Sequence, residues 1–129
     1  MPHNLPGKRV LVVEDNPILA YDITDLVEDV GAKAVGPAFD VATGMRLVSE
    51  EELDAALLDI DLGGELVWPI AEALDRHDVP FAFVSAQCQP ELLPEAFRAR
   101  VCIDKPARYS QIIEALVSFV TRREDSSPD

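Results

Sequence analysis

Carboxylates, a hydroxyl and a lysine follow short apolar runs at four points of the sequence, and together they could perform phosphoryl chemistry. The set is Glu14, Asp15, Asp59, Asp61, Ser85 and Lys105. Carboxylates brought close together repel, at about 4 kcal/mol per pair for a 4 Å separation and an effective dielectric of 20. Lys105 offers one compensating charge, and Mg²⁺, or Mn²⁺ in its place, offers two and prefers oxygen ligands. A carboxylate nucleophile beside a hydroxyl, a lysine and Mg²⁺ is a phosphoryl-transfer site.

The elements that must bring these residues together are short buried strands alternating with helices. Apolar runs bounded by turn residues predict five strands, at 10–13, 34–38, 55–58, 80–84 and 101–103. Five strand-then-helix units predict an α/β fold with a parallel sheet and helices on both faces. Because the carboxyl ends of parallel strands share one edge of the sheet, we expect the six polar residues to converge on one crevice there.

Local signals mark the helices between the strands. Asn16 and Pro17 predict a helix start and Gly31 its end, and Asp40 is expected to cap the second helix. A helix is predicted here by the three- and four-residue spacing of Leu19, Ile23, Leu26, Val27 and Val30. Pro90 and Pro94 weaken the fourth helix, since an interior proline costs about 3 kcal/mol. Only a short or irregular fourth helix of one or two turns is therefore predicted.

Length and composition limit the class of protein. The 129 residues predict one domain over 8–122, between an N-terminal arm at 1–7 and a flexible tail at 123–129. A formal charge of −13 argues against a nucleic-acid partner, because phosphate contacts need clustered Lys and Arg. The sequence has no 18-residue apolar span and no signal peptide, so we expect a cytoplasmic protein without membrane contact. In that compartment Cys88 and Cys102 are expected to be reduced, inert thiols, with redox sensing as the alternative.

The ordered set Glu14-Asp15, Asp59, Ser85-Ala86 and Lys105-Pro106 resembles the receiver domain of two-component response regulators, over residues 8–122. This resemblance implies a flavodoxin-like (βα)5 doubly wound sheet with strand order 2-1-3-4-5. It also implies that Asp59 is the phospho-acceptor and that the Lys105-Pro106 peptide bond is cis.

The same resemblance implies the roles of the surrounding residues. Asp15 would ligate Mg²⁺ directly, Glu14 through water, and Asp61 through its backbone carbonyl. Ser85 would hydrogen-bond the phosphoryl group and Lys105 would pair with it. The implied partners are a histidine kinase or histidine phosphotransferase, which donates the phosphoryl group, and a downstream protein that binds the fourth and fifth units.

The sequence around the fourth strand is similar to that of single-domain receivers of alphaproteobacteria. The carrying residues are 80–85, Leu93-Pro94 and Phe97. Where that subgroup usually has Thr-Gly-Tyr, this chain has Ser85-Ala86-Gln87. Receivers usually carry an aromatic switch residue three positions before the lysine, and that position is Cys102 here, so coupling by ring rotation cannot operate.

Two other functions fit parts of the pattern. Asp59-Ile60-Asp61 matches the D-x-D of haloacid-dehalogenase-type Mg²⁺-dependent phosphatases, but there the metal-binding acid pair follows the lysine, whereas Glu14-Asp15 precedes it. A receiver-like binding module that is never phosphorylated is the third alternative. We expect a single-domain response regulator that is a switch and not an enzyme, with at most self-phosphorylation from small donors and self-dephosphorylation.

Overall fold

A computed structural model of the protein describes residues 5–125, with side chains through residue 121. The strands of the main sheet are β1 (Arg9–Val13), β2 (Lys33–Ala38), β3 (Ala55–Leu58), β4 (Phe81–Ser85) and β5 (Cys102–Asp104). The helices are α1 (Pro17–Asp29), α2 (Val41–Glu50), α3 (Trp68–Arg76) and α4 (Tyr109–Asp125). A small antiparallel hairpin, Asp61–Leu62 with Glu65–Leu66, lies between β3 and α3.

The five strands form one parallel sheet in the order β2-β1-β3-β4-β5, which confirms the predicted fold class and strand order. Val13 pairs with Leu58, and Leu58 with Phe83. Phe83 in turn pairs with Cys102. Because the register is level across four strands, the residues that follow them lie along one edge.

Helices cover both faces of the sheet, as the alternating pattern predicts. On one face α1 and α4 bury Val27 and Leu116 against Val12 and Leu57. On the other face, α2 and α3 pack with the segment between β4 and β5 in a second buried cluster. The three central strands β1, β3 and β4 are thus buried on both sides, which explains why their sequences are apolar without alternation.

The predicted caps of α1 and α2 are present. The side-chain oxygen of Asn16 accepts the N–H groups of Ile18 and Leu19, and Asp40 accepts that of Thr43. Of the residues whose spacing predicted α1, Ile23, Leu26 and Val27 are buried, whereas Leu19 is 38% exposed. Leu19 lies in the first turn of α1 and lines an open cleft together with Pro106.

The segment between β4 and β5 has no α-helix, in agreement with the predicted irregular fourth unit. It forms two 3₁₀ turns, Pro90–Leu92 and Glu95–Phe97. Leu93 and Phe97 are buried and anchor the segment to the core. Pro90 begins one turn and Pro94 precedes the other, so the prolines occupy positions where no helical N–H is required.

Cys88 and Cys102 form a disulfide, so the expectation of two reduced thiols was wrong. Cys88 follows β4, and Cys102 begins β5, the strand that pairs with β4. This pairing brings their Cα atoms to 5.7 Å, within the range that a disulfide spans. The two cysteines are 14 positions apart in the sequence and meet because their strands pair. The prediction of reduced thiols rested on the expected compartment and did not take this pairing into account.

The described chain begins at residue 5 and ends at residue 125. Leu5, inside the stretch expected to be an arm, is buried, and its N–H donates to the carbonyl of Val30. Helix α4 extends to Asp125, and residues 1–4 and 126–129 lie outside the described part. Within residues 5–125, no helix has the length and apolarity needed to cross a membrane.

Candidate functional site

Strands β1 and β3 place the acidic residues side by side at the carboxyl edge of the sheet. The N–H of Asp59 donates to the carbonyl of Val13 at 2.9 Å, and that of Glu14 donates to Ala38 at 3.0 Å. The sheet hydrogen bonds thus continue through both acidic residues, whose backbone positions follow from strand pairing. The structure therefore brings Glu14 and Asp59 together at the edge of the sheet where the sequence predicted a crevice.

Glu14, Asp15 and Asp59 form a carboxylate cluster in which one oxygen from each residue lies within 4.8 Å of the others. Glu14 and Asp59 are buried, and Asp15 is half-buried at the mouth of the cluster. Three such carboxylates at this separation need positive charge close by.

Lys105 supplies one positive charge to this cluster. Its Nζ donates to Oε1 of Glu14 at 2.7 Å and to Oδ2 of Asp59 at 3.1 Å. Burial lowers the pKa of Lys105, but the hydrogen bond to Glu14 and the charge of Asp59 outweigh it, so the pKa is raised and the ammonium stays charged. The Lys105-Pro106 peptide bond is cis, as the resemblance implies.

Glu14 is the most enclosed acid of the cluster. Burial raises the pKa of its carboxyl, and the charge of Asp59 adds to that rise. Hydrogen bonds from Lys105 and from the N–H of Asn16, the latter to Oε2 at 3.1 Å, act in the opposite direction. The net effect is a raised pKa for Glu14, with burial as its largest cause.

The donor set fits Mg²⁺. All three residues of the cluster offer carboxylate oxygens, and Asp15 is partly open to solvent. Mg²⁺ is usually held by one or two protein carboxylates, with waters and a phosphate oxygen completing its octahedron. A second cation beside Lys105 would also favour the charged form of the buried Glu14 carboxyl.

Asp61 and Ser85 lie at the same edge, but their side chains make local hydrogen bonds. The Asp61 Oδ1 accepts the N–H of Gly64 at 2.8 Å, which closes the hairpin turn. The Ser85 Oγ accepts the N–H of Gln87 at 3.1 Å. The Asp61 carboxylate is outside the three-residue cluster, which leaves its backbone carbonyl as the ligand proposed for it.

Two features of the site could not be read from motifs. The backbone N–H of Ile60 donates to Oδ1 of Asp59 at 2.8 Å and orients the carboxylate. The Cys88 Sγ lies 3.6 Å from the carbonyl oxygen of Ser85. The apolar character of Ile60 signals a buried loop, but only coordinates give the direction of its N–H.

The fold and the site together define a class of protein. It is a doubly wound α/β domain with an acidic cluster and a lysine at the carboxyl edge of its sheet. The sequence model of the response regulator receiver domain matches residues 10–117. The chain therefore belongs to this family, in which phosphorylation and Mg²⁺ binding are typical. Membership confirms the resemblance and does not support the phosphatase alternative.

Known proteins of the same kind are similar over most of the chain. The phyllosphere-induced regulator PhyR of Methylorubrum extorquens is 28% identical over 117 residues, covering 86% of this chain and 44% of PhyR. The solution structure of SdrG from Sphingomonas melonis Fr1 is 33% identical with a TM-score of 0.76, covering 88% of this chain and 97% of that chain. The receiver domain of Erythrobacter litoralis PhyR is 26% identical with a TM-score of 0.81, covering 96% of each chain. The chain spans about half the length of the curated relatives it matches.

Proposed function

We propose that this protein is a single-domain response regulator of a two-component phosphorelay that accepts a phosphoryl group on Asp59. The observation that supports this most is the contact of Lys105 with Glu14 and Asp59 inside the carboxylate cluster. Family membership provides the reaction class. The chain also aligns with 97% of the solved SdrG chain.

In the proposed reaction, a carboxylate oxygen of Asp59 attacks the phosphorus of a phosphohistidine on a kinase or phosphotransferase. A P–O bond to Asp59 forms, the P–N bond breaks, and the imidazole leaves. Lys105, already 3.1 Å from Oδ2, would pair with the phosphoryl oxygens and offset their charge. The Ser85 hydroxyl would donate to another phosphoryl oxygen.

Asp15 would hold Mg²⁺ directly, Glu14 through water, and Asp61 through its backbone carbonyl. When bound, the ion supplies charge neutralisation for the transferring group. Glu14 contacts Lys105 through Oε1, and its Oε2 accepts the N–H of Asn16.

The proposed output is contact with a downstream protein through the face made by the β4–β5 segment and β5. Because Cys102 replaces the aromatic switch residue, the change at Asp59 would reach this face through the backbone of the Ser85 loop. The proposed phosphoryl donors, a histidine kinase or phosphotransferase, act in the cytoplasm, and we propose the same location for this protein.

Intact-mass measurement after incubation with acetyl phosphate tests the proposal. Wild type should gain one phosphoryl group with Mg²⁺ and none with EDTA, and Asp59→Asn should gain none. Asp61→Asn is the matched control, because its side chain bonds Gly64 and not the cluster, and it should still be phosphorylated.

Equal phosphoryl gain in Asp59→Asn and wild type would contradict the assignment of the acceptor. No gain by wild type, either from acetyl phosphate or from a phosphorylated histidine phosphotransferase, would instead support the receiver-like binding module.

A further inference from the structure

The disulfide encloses the segment 89–101 between β4 and β5. Its two cysteines are equally spaced from residues of the site, since Cys88 follows Ser85 by three positions and Cys102 precedes Lys105 by three. Each end of the bridged segment is therefore close in sequence to a residue whose side chain is proposed to contact the phosphoryl group.

The carbonyl oxygen of Ser85 connects the two ends of this segment. It accepts the backbone N–H of Lys105 at 3.0 Å and lies 3.6 Å from the Cys88 Sγ. Cys102 pairs with Phe83 and packs against the core cluster that contains Phe97. The bridge thus joins the loop after Ser85 to the strand that leads into Lys105.

The fold does not need this bond to hold the segment. Leu93 and Phe97 are buried, and the side chain of Arg98 donates to the carbonyls of Pro90 and Leu93. A domain of this size has a core large enough to be stable without disulfides. Both cysteines keep part of their surface exposed, as a bond that exchanges with external thiols requires.

We propose that Cys88 and Cys102 are a reversible redox site that decides whether the segment 89–101 can rearrange when Asp59 is phosphorylated. As a disulfide, the pair holds the segment against β5. As two thiols, it frees the segment to follow Ser85 and Lys105. The coupling to phosphate rests on the function proposed above, whereas the redox control of the segment does not.

The chemistry is thiol–disulfide exchange with a thiol reductant, either a low-molecular-weight thiol or a protein dithiol. Two reductant thiols give up two electrons and two protons and become a disulfide. The Cys88–Cys102 bond breaks and each sulfur takes one of the protons. Oxidation by a low-molecular-weight disulfide is the reverse reaction.

Hydrogen exchange followed by mass spectrometry tests this proposal on the full chain. Peptides covering 89–101 are compared in the disulfide form, the dithiol form and the double variant Cys88→Ser/Cys102→Ser, each with and without Mg²⁺ and beryllofluoride as a phosphoryl mimic. Alkylation of free thiols, read by mass across a series of glutathione redox buffers, measures the fraction oxidised. The double variant is the matched control because it retains two small polar side chains that cannot be bridged.

The disulfide form should exchange most slowly in 89–101 and should change little with the mimic. The dithiol form and the double variant should exchange faster, by up to about 100-fold, the factor that corresponds to closing a loop of about 15 residues. Both should respond to the mimic, and the oxidised fraction should vary across the glutathione series.

Equal exchange in the disulfide and dithiol forms, or a bond that stays fully oxidised in reduced glutathione, would overturn the proposal. If no form responds to the mimic but the disulfide and dithiol forms still differ, the proposed phosphoryl acceptance fails while redox control of the segment is supported. If all forms respond equally to the mimic, phosphoryl acceptance is supported and redox gating fails.

Discussion

At the scale of single residues, Lys105 is the group that offsets the mutual repulsion of the clustered carboxylates. Its Nζ contacts both buried carboxylates, Glu14 at 2.7 Å and Asp59 at 3.1 Å. A divalent ion bound to the same carboxylates would offset the same negative charge. The lysine and the ion should therefore substitute for each other in stabilising the folded protein, although their proposed roles in phosphoryl transfer differ.

Lys105→Met should lower the free energy of unfolding by about 1–3 kcal/mol in metal-free buffer, because two buried carboxylates lose a charged donor. Mg²⁺ should stabilise this variant more than it stabilises wild type, because the variant lacks the lysine charge that offsets the repulsion between the carboxylates. Urea unfolding with EDTA or with millimolar Mg²⁺ measures both effects.

Lys33→Met, at an exposed lysine of β2, is the control and should show neither effect. A loss of stability in Lys105→Met that is the same with and without Mg²⁺ would argue that the ion does not bind at this cluster.

At the scale of elements, the site depends on level strand ends and on helices that approach the sheet closely. Gly44 in α2 is buried against α3, where a Cβ atom would overlap Cδ1 of Ile70 and lie 3.2 Å from its Cγ1. Glycine costs about 1 kcal/mol in a helix relative to alanine. Its presence here is explained by the close approach of α2 to α3.

Gly44→Ala should destabilise the protein in the wild-type background, since overpacking costs about 1–3 kcal/mol and exceeds the helix gain. In an Ile70→Val background, which removes the Cδ1 atom, the same substitution should be neutral or stabilising. The double-mutant cycle measured by urea unfolding should give a favourable coupling of about 1–2 kcal/mol.

Ser49→Ala, on the exposed face of α2, should have the same effect in both backgrounds. A coupling near zero between residues 44 and 70 would contradict the packing of α2 against α3 described above.

At the scale of the whole molecule, the sequence predicted the sheet, its strand order and the convergence of the acids. The sheet and the convergence of Glu14, Asp15 and Asp59 follow from local signals, namely apolar runs that end in polar residues and proline or glycine at element boundaries, whereas the strand order was implied by the resemblance to receiver domains. The disulfide was missed because Cys88 and Cys102 meet only through the pairing of β4 with β5. The exposure of Leu19 could not be predicted either, because helical periodicity does not show which neighbouring elements cover a residue.

The central claim is that Asp59, and neither Asp15 nor Asp61, accepts the phosphoryl group. Borohydride reduces an aspartyl phosphate to homoserine, so peptide sequencing after reduction locates the acceptor directly. Protein treated with acetyl phosphate and Mg²⁺ should contain homoserine at position 59 and aspartate at positions 15 and 61, and untreated protein should contain none. Homoserine at position 15 or 61, or phosphorylated protein without homoserine at 59, would contradict the account.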